Sequence, residues 1–116
     1  MSGAVLEIGD KLRVMTRRLF DEDIRRHFAG EVGAVSGYLV ELVGYTFIFN
    51  TSINEYRKLP EIRTRIFSLG DSGHIVNKIP PEVDFSALTY RVIEQRLVLT
   101  DNQSFSLAIN EFGSKN

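Results

Sequence analysis

Histidine is the side chain that most often binds a transition metal or moves a proton near neutral pH, and this chain has two, His27 and His74. They occur in neither His-x-His nor His-Glu-x-x-His spacing. A zinc site needs three or four protein ligands, and the chain has no cysteine to supply a thiolate ligand or nucleophile. We therefore expect no metal and no cofactor, and interpret both residues as surface or hydrogen-bonded strand histidines.

Other motifs that carry enzyme chemistry are also missing from the sequence. The acidic residues Asp21, Glu22 and Asp23 are adjacent, so their carboxylates point in different directions and are typical of a solvated turn. The glycine-rich stretch 28–37 is not followed by Lys-Ser or Lys-Thr, as a phosphate-binding loop would be. No serine lies in a Gly-x-Ser-x-Gly elbow. The sequence therefore predicts a protein that is not an enzyme.

Arginine is the one compositional bias with a functional meaning, since it outnumbers lysine ten to four. On alternating strands, Arg63 and Arg65 share one face, as do Arg13 and Arg17. Together with nearby aromatic rings they define a candidate binding or interface set: Arg13, Arg17, Arg63, Arg65, Tyr45 and Tyr56.

Two interpretations of these arginines stay open. A basic stripe bordered by aromatic rings would suit nucleic acid. Alternatively, the guanidinium groups pair with carboxylates inside the chain or across a subunit contact. Fourteen basic and fifteen acidic residues give a formal charge of -1. We favour the second interpretation, because nucleic-acid affinity depends on uncompensated positive charge.

The segment that must position these side chains is Tyr38–Asn50, the longest apolar run of the chain. Its β-branched and aromatic residues favour a strand, and both of its faces are largely apolar. We predict the central strand here, with Gly44 at a bulge or kink and Phe47 in the core. Because both faces need cover, either the rest of the fold or another subunit must supply it.

Shorter β-type runs surround this strand. Residues 4–19 fit a helical spacing, but Gly9 and the alternation after it favour a strand over Lys11–Leu19. A strand at 27–35 follows, bent at its glycines and joined to the central strand by a turn at Ser36-Gly37. We predict a polar loop over residues 50–61. We also predict that residues 63–69 and 74–79 form a second hairpin. One helical turn near 83–88 and a meander of three strands at 88–94, 97–100 and 105–110 complete the expected pattern.

These strands predict one all-β domain spanning residues 1–116, a small barrel or β-roll of seven to eight short strands. The bent strands, the long central strand and the hairpin ending at Pro80-Pro81 resemble the Sm-like and SH3-like barrels in outline, over roughly residues 10 to 80. The Sm family's Asp-x-x-x-Asn loop after the second strand and its Arg-Gly pair before the last are absent. The resemblance therefore transfers no binding residues.

The function expected from the sequence is a non-catalytic β-barrel module acting as a structural or assembly subunit. It would form a homo-oligomer or bind a protein partner, because the two-faced central strand carries more apolar surface than a small barrel uses. The alternative is an Sm-like or SH3-like nucleic-acid-binding module that uses the arginine stripe. The first residues form neither a signal peptide nor a membrane span, so we expect no membrane partner and a cytoplasmic location.

Overall fold

The computed structural model describes residues 5–16, 26–50, 55–70 and 74–109, and these residues form an all-β protein. Its helical content in these ranges is one 3₁₀ turn, Phe85–Ala87, close to the helical turn expected from the sequence. Nine strands lie in the same ranges, so the expected seven or eight was too few. They are β1 Lys11–Thr16, β2 Arg26–Ser36, β3 Leu39–Asn50, β4 Glu55–Lys58, β5 Arg63–Ser68, β6 His74–Ile79, β7 Thr89–Ile93, β8 Arg96–Thr100 and β9 Ser106–Ile109.

The chain divides into two compact units, Met1–Pro81 and Glu82–Asn116. The first unit holds one antiparallel sheet with the order β4-β3-β2-β1-β6, and β5 also pairs with β3. The predicted central strand is confirmed, because β3 pairs with β2 on one side and with β4 and β5 on the other. The strand preferred for 11–19 is confirmed for Lys11–Thr16, and residues 17–19 lie outside the described part.

The second hairpin predicted from the sequence is wrong. Strand β5 pairs with β3, whereas β6 pairs with β1, so the two segments lie at different edges of the sheet. The sheet nevertheless curls, because the rings of Phe67 at the end of β5 and His74 at the start of β6 are 5.7 Å apart. No backbone ladder joins β5 to β6 within the described residues, and the expected closed barrel is not found.

The hydrophobic core of this unit lies on one side of the sheet, which we call the core side. Its residues come from the first three strands and are buried: Leu12, Val14, Phe28, Val32, Val40 and Leu42. In the first half of β3 the even-numbered residues therefore face the core. Phe67 joins this side at the sheet edge, with its ring 5.6 Å from that of Phe28. Phe47 is also buried, at 1% exposure, although its register places it on the opposite side.

Two glycines allow β2 and β3 to approach closely at their middle. Gly30 pairs with Gly44, and a Cβ atom on Gly44 would lie only 1.9 Å from the carbonyl oxygen of Ala29. Of the bulge or kink predicted at Gly44, the bulge is excluded, since the register runs through Gly44 unchanged. The irregularity instead lies between Val32 and Ala34, at Gly33, one of the glycines expected to permit bending.

The second unit confirms the predicted meander, a three-stranded antiparallel sheet with the order β7-β8-β9. The turn between β8 and β9 is organised by Asp101, whose Oδ1 accepts hydrogen bonds from the backbone N–H groups of Gln103 and Phe105, at 2.9 and 3.0 Å. These donors, Phe105 foremost and then Gln103, lower the pKa of Asp101 because they stabilise the ionised carboxylate. The turn therefore depends on a charged side chain.

Candidate functional site

Strands β4 and β5 together form one edge of the first sheet, running along a single neighbour. β4 pairs with the last four residues of β3 and β5 with its first six. Between them, Leu59 keeps one backbone hydrogen bond to the carbonyl of Thr46 before Pro60 interrupts the pairing. The sequence predicted a polar loop over 50–61, and β4 corrects that prediction for Glu55–Lys58.

Four exposed arginines fall on the core side of this edge region, outside the core itself. Arg26 and Arg57 both pair with Ile48, one from β2 and one from β4. Arg63 pairs with Gly44 and Arg65 with Leu42. Residues that pair directly across an antiparallel ladder project to the same side of the sheet. We call these four residues, Arg26, Arg57, Arg63 and Arg65, the arginine row.

One member of the arginine row has its charge compensated within the chain. Arg63 forms an ion pair with Glu61, and both side chains are exposed. Within the described ranges, neither Arg57 nor Arg65 forms an ion pair or a side-chain hydrogen bond. The row therefore presents positive charge that is only partly compensated.

The opposite side of the same edge is mostly apolar, with one carboxylate in it. Leu39, Val43 and Ile66 are 49%, 40% and 67% exposed. Ile66 pairs with Glu41, which lies between Leu39 and Val43 on β3, so the three aliphatic side chains surround this carboxylate. We call Leu39, Val43 and Ile66 the apolar patch. Contiguous exposed apolar residues of this kind are typical of interaction surfaces.

Arg13 and Tyr56, both in the predicted set, meet in a buried polar cluster with His27 and Asn77. Arg13 is 3% exposed and His27 2%. Arg13 donates hydrogen bonds from Nη1 to Asn77 Oδ1, at 2.8 Å, and from Nη2 to His27 Nδ1, at 3.2 Å. The ring of Tyr56 stacks on that of His27, with centroids 4.6 Å apart. Arg13 is therefore buried and takes no part in an exposed stripe.

The hydrogen bonds of this buried polar cluster define the tautomer of His27. A guanidinium group only donates, so Nδ1 of His27 must accept from Arg13 and carries no proton. The ring proton is then on Nε2, which lies 3.3 Å from Tyr56 Oη and donates to it. The expectation of a hydrogen-bonded strand histidine is confirmed here, and the cluster is arranged to hold strands β1, β2, β4 and β6 together.

The two remaining residues of the predicted set are Tyr45 and Arg17. Tyr45 is half-buried on β3, with Lys58 Nζ 4.2 Å from its ring centroid. Arg17 lies outside the described residues. Sequence reasoning missed Arg26 and Arg57 as neighbours of Arg63 and Arg65, because only the strand register places them on the same side of the sheet.

Among the described residues, no group of three or more His, Asp or Glu side chains could hold a metal ion. Within those ranges, no helix has the length and hydropathy needed to span a bilayer.

Comparison of the chain with protein-family models, with curated proteins and with solved structures gave no match.

Proposed function

We propose that this protein is a non-catalytic β module that serves as a structural or assembly subunit and associates with a second copy of itself through the apolar patch. The observation that supports this most directly is the exposure of Leu39, Val43 and Ile66 side by side on β3 and β5. Burying such residues in a subunit contact contributes about 25 cal/mol for each Å² of apolar surface removed from water. The chain's formal charge of -1 also leaves little repulsion between copies.

The experiment is a measurement of solution mass by analytical ultracentrifugation. The parent should sediment above the 13.2 kDa of one chain. Ile66→Glu should shift it to the monomer, because the variant places a second carboxylate directly beside Glu41 in the contact, and the two like charges repel each other and must be desolvated together. Val92→Glu is the matched control: Val92 is 66% exposed on β7, outside the patch, so this variant should keep the parent's mass. A monomeric parent at about 100 μM, where even modest interfaces associate, would refute the proposal.

The alternative is an Sm-like or SH3-like nucleic-acid module. The exposed arginine row favours it, whereas the formal charge of -1, the Arg63–Glu61 ion pair and the burial of Arg13 count against it. Light scattering with and without a mixed single-stranded RNA separates the two functions, since only the alternative predicts a mass increase that depends on RNA.

The finer architectural expectations belong with this proposal. An SH3-like or Sm-like barrel outline for the first unit is supported by the curl that brings Phe67 and His74 together. Hydrogen exchange tests how far this curl extends: backbone amides of β6 that are protected on the edge away from β1 would indicate full closure, whereas unprotected amides there would indicate an open outline in which the outer edge of β5 stays free. The cytoplasmic location stays a prediction.

A further inference from the structure

The free edge of β5 is able to pair with another strand. β5 pairs with β3 on one side, and within the described residues no strand pairs with its other side. Alternate backbone N–H and C=O groups of an edge strand point away from the sheet and are open to a new ladder. Residues 63–66 are exposed on both faces, so neither side of the sheet shields this stretch. Pro60, the residue that blocks pairing, lies before it.

The two sides of this edge would select different side chains in an added strand. On one side lie Arg63 and Arg65, and on the other Ile66. Side chains of an added strand alternate between the same two sides, with a period of two residues. Carboxylates at every second position would therefore lie beside the arginines, with aliphatic residues beside Ile66.

A second copy of β5 does not meet this requirement. If β5 pairs antiparallel with β5 of a second copy about a two-fold axis perpendicular to the sheet, the same face of each β5 lies on the same side of the joined sheet. Arg63 and Arg65 of one copy would then lie on the same side as those of the other copy, and like charges that face each other across strands are destabilising. The free edge therefore suits a different chain.

We propose that the β5 edge binds an extended segment of another protein in which acidic and aliphatic residues alternate, by adding it to the sheet as a further strand. Main-chain hydrogen bonds would hold the segment, and alternate side chains would give specificity. This goes beyond the proposed self-association, because it uses the backbone edge and the arginine row rather than the apolar patch alone.

The test uses a blocked nine-residue peptide of alternating Glu and Val, labelled for fluorescence anisotropy, with the full-length protein. The first control peptide has the same composition but groups the four or five Glu residues together. Two further peptides are N-methylated at all Glu or at all Val residues. Along a strand, residues whose side chains share one face of the sheet also direct their N–H groups to the same edge. In the bound peptide, either all the Glu residues or all the Val residues therefore direct their N–H groups at β5, and the other residues direct theirs away from it.

We expect the alternating peptide to bind, and one N-methylated peptide to lose binding while the other keeps it. Arg63→Gln with Arg65→Gln should weaken binding about fivefold to tenfold at low ionic strength, because the change removes the ion pair of Arg65 with the peptide and leaves Glu61, the partner of Arg63, to repel the peptide's carboxylates. The matched control, Arg91→Gln with Arg96→Gln, removes the same charge from exposed positions of β7 and β8 and should change the affinity little. Circular dichroism checks that each variant is folded.

Three results would overturn the inference. The first is no binding at about 1 mM peptide, the limit of weak specific association. The second is equal binding of the grouped peptide or of both N-methylated peptides, which indicates charge attraction without strand pairing. The third is displacement of the peptide by single-stranded RNA at a lower concentration, which indicates a nucleic-acid surface. The proposed self-association is judged separately, from the sedimentation of the Ile66→Glu variant, so the two failures are distinguishable.

Discussion

Phe47→Ala tests whether the far half of β3 is core on the side opposite the main hydrophobic cluster. Phe47 is 1% exposed and pairs with His27 on β2 and with Lys58 on β4. Truncating a fully buried phenylalanine removes its transfer free energy and leaves a cavity, at a cost of about 3–5 kcal/mol. At about 0.05–0.15 kcal/mol per residue, 116 residues supply roughly 6–17 kcal/mol in total. The variant should therefore lose between a fifth and most of its stability.

Urea unfolding followed by circular dichroism measures the effect. Phe47→Leu fills much of the same volume and should cost less than about 1.5 kcal/mol. Ile62→Ala, at an exposed site, should stay within about 0.5 kcal/mol of the parent. If Phe47→Ala unfolds at the parent's midpoint while its slope is unchanged, the side chain is not buried in solution and the register of β3 with β2 and β4 is wrong.

Two further predictions concern buried or charged polar groups. His27→Leu removes a hydrogen-bond acceptor of the buried Arg13 and should destabilise the protein by about 1–3 kcal/mol, as measured by urea unfolding. Combining it with Arg13→Met should restore part of the lost stability. If the double variant instead loses the sum of the two single losses, the two side chains do not interact. Asp101→Asn keeps the hydrogen-bonding oxygen but removes the charge. Because the folded pKa of Asp101 is lowered, its stabilisation is complete above the unfolded pKa of about 3.9 and is lost as the pH falls through the folded pKa. The melting temperature of the variant should therefore lie below that of the parent at pH 7 and equal it at acidic pH. A difference in melting temperature that does not change with pH would contradict this.

Most strands could be predicted from local pattern because β-branched and aromatic residues at alternate positions are strand signals in themselves. β4 could not, since Glu55–Lys58 is polar and becomes a strand only because β3 is long enough to pair with it. The predicted hairpin of β5 with β6 was wrong because strand pairing likewise depends on distant parts of the sheet. A short turn-like connection suggests neighbours, but it does not reveal that β3 and β1 already offer free edges to these segments.

The candidate site was predictable only in part. Alternation alone puts Arg63 and Arg65 on one side of a strand, and the register agrees. Arg26 and Arg57 join them through pairing with Ile48, a contact between positions that are far apart in sequence. The buried Arg13 likewise donates a hydrogen bond to Asn77, sixty-four residues later in the sequence, and no local pattern connects the two residues.

The pairing of β1 with β6 has a consequence for how the first unit folds. β2 and β3 are joined by a two-residue turn and can pair as soon as both exist, whereas the β1–β6 ladder joins Lys11 to Ile79. Closing so long a loop is entropically costly and slows folding, so we expect this ladder to form last. During synthesis, one edge of β1 would then stay unpaired until β6 has emerged from the ribosome. In that interval the chain is most exposed to pairing with a wrong strand.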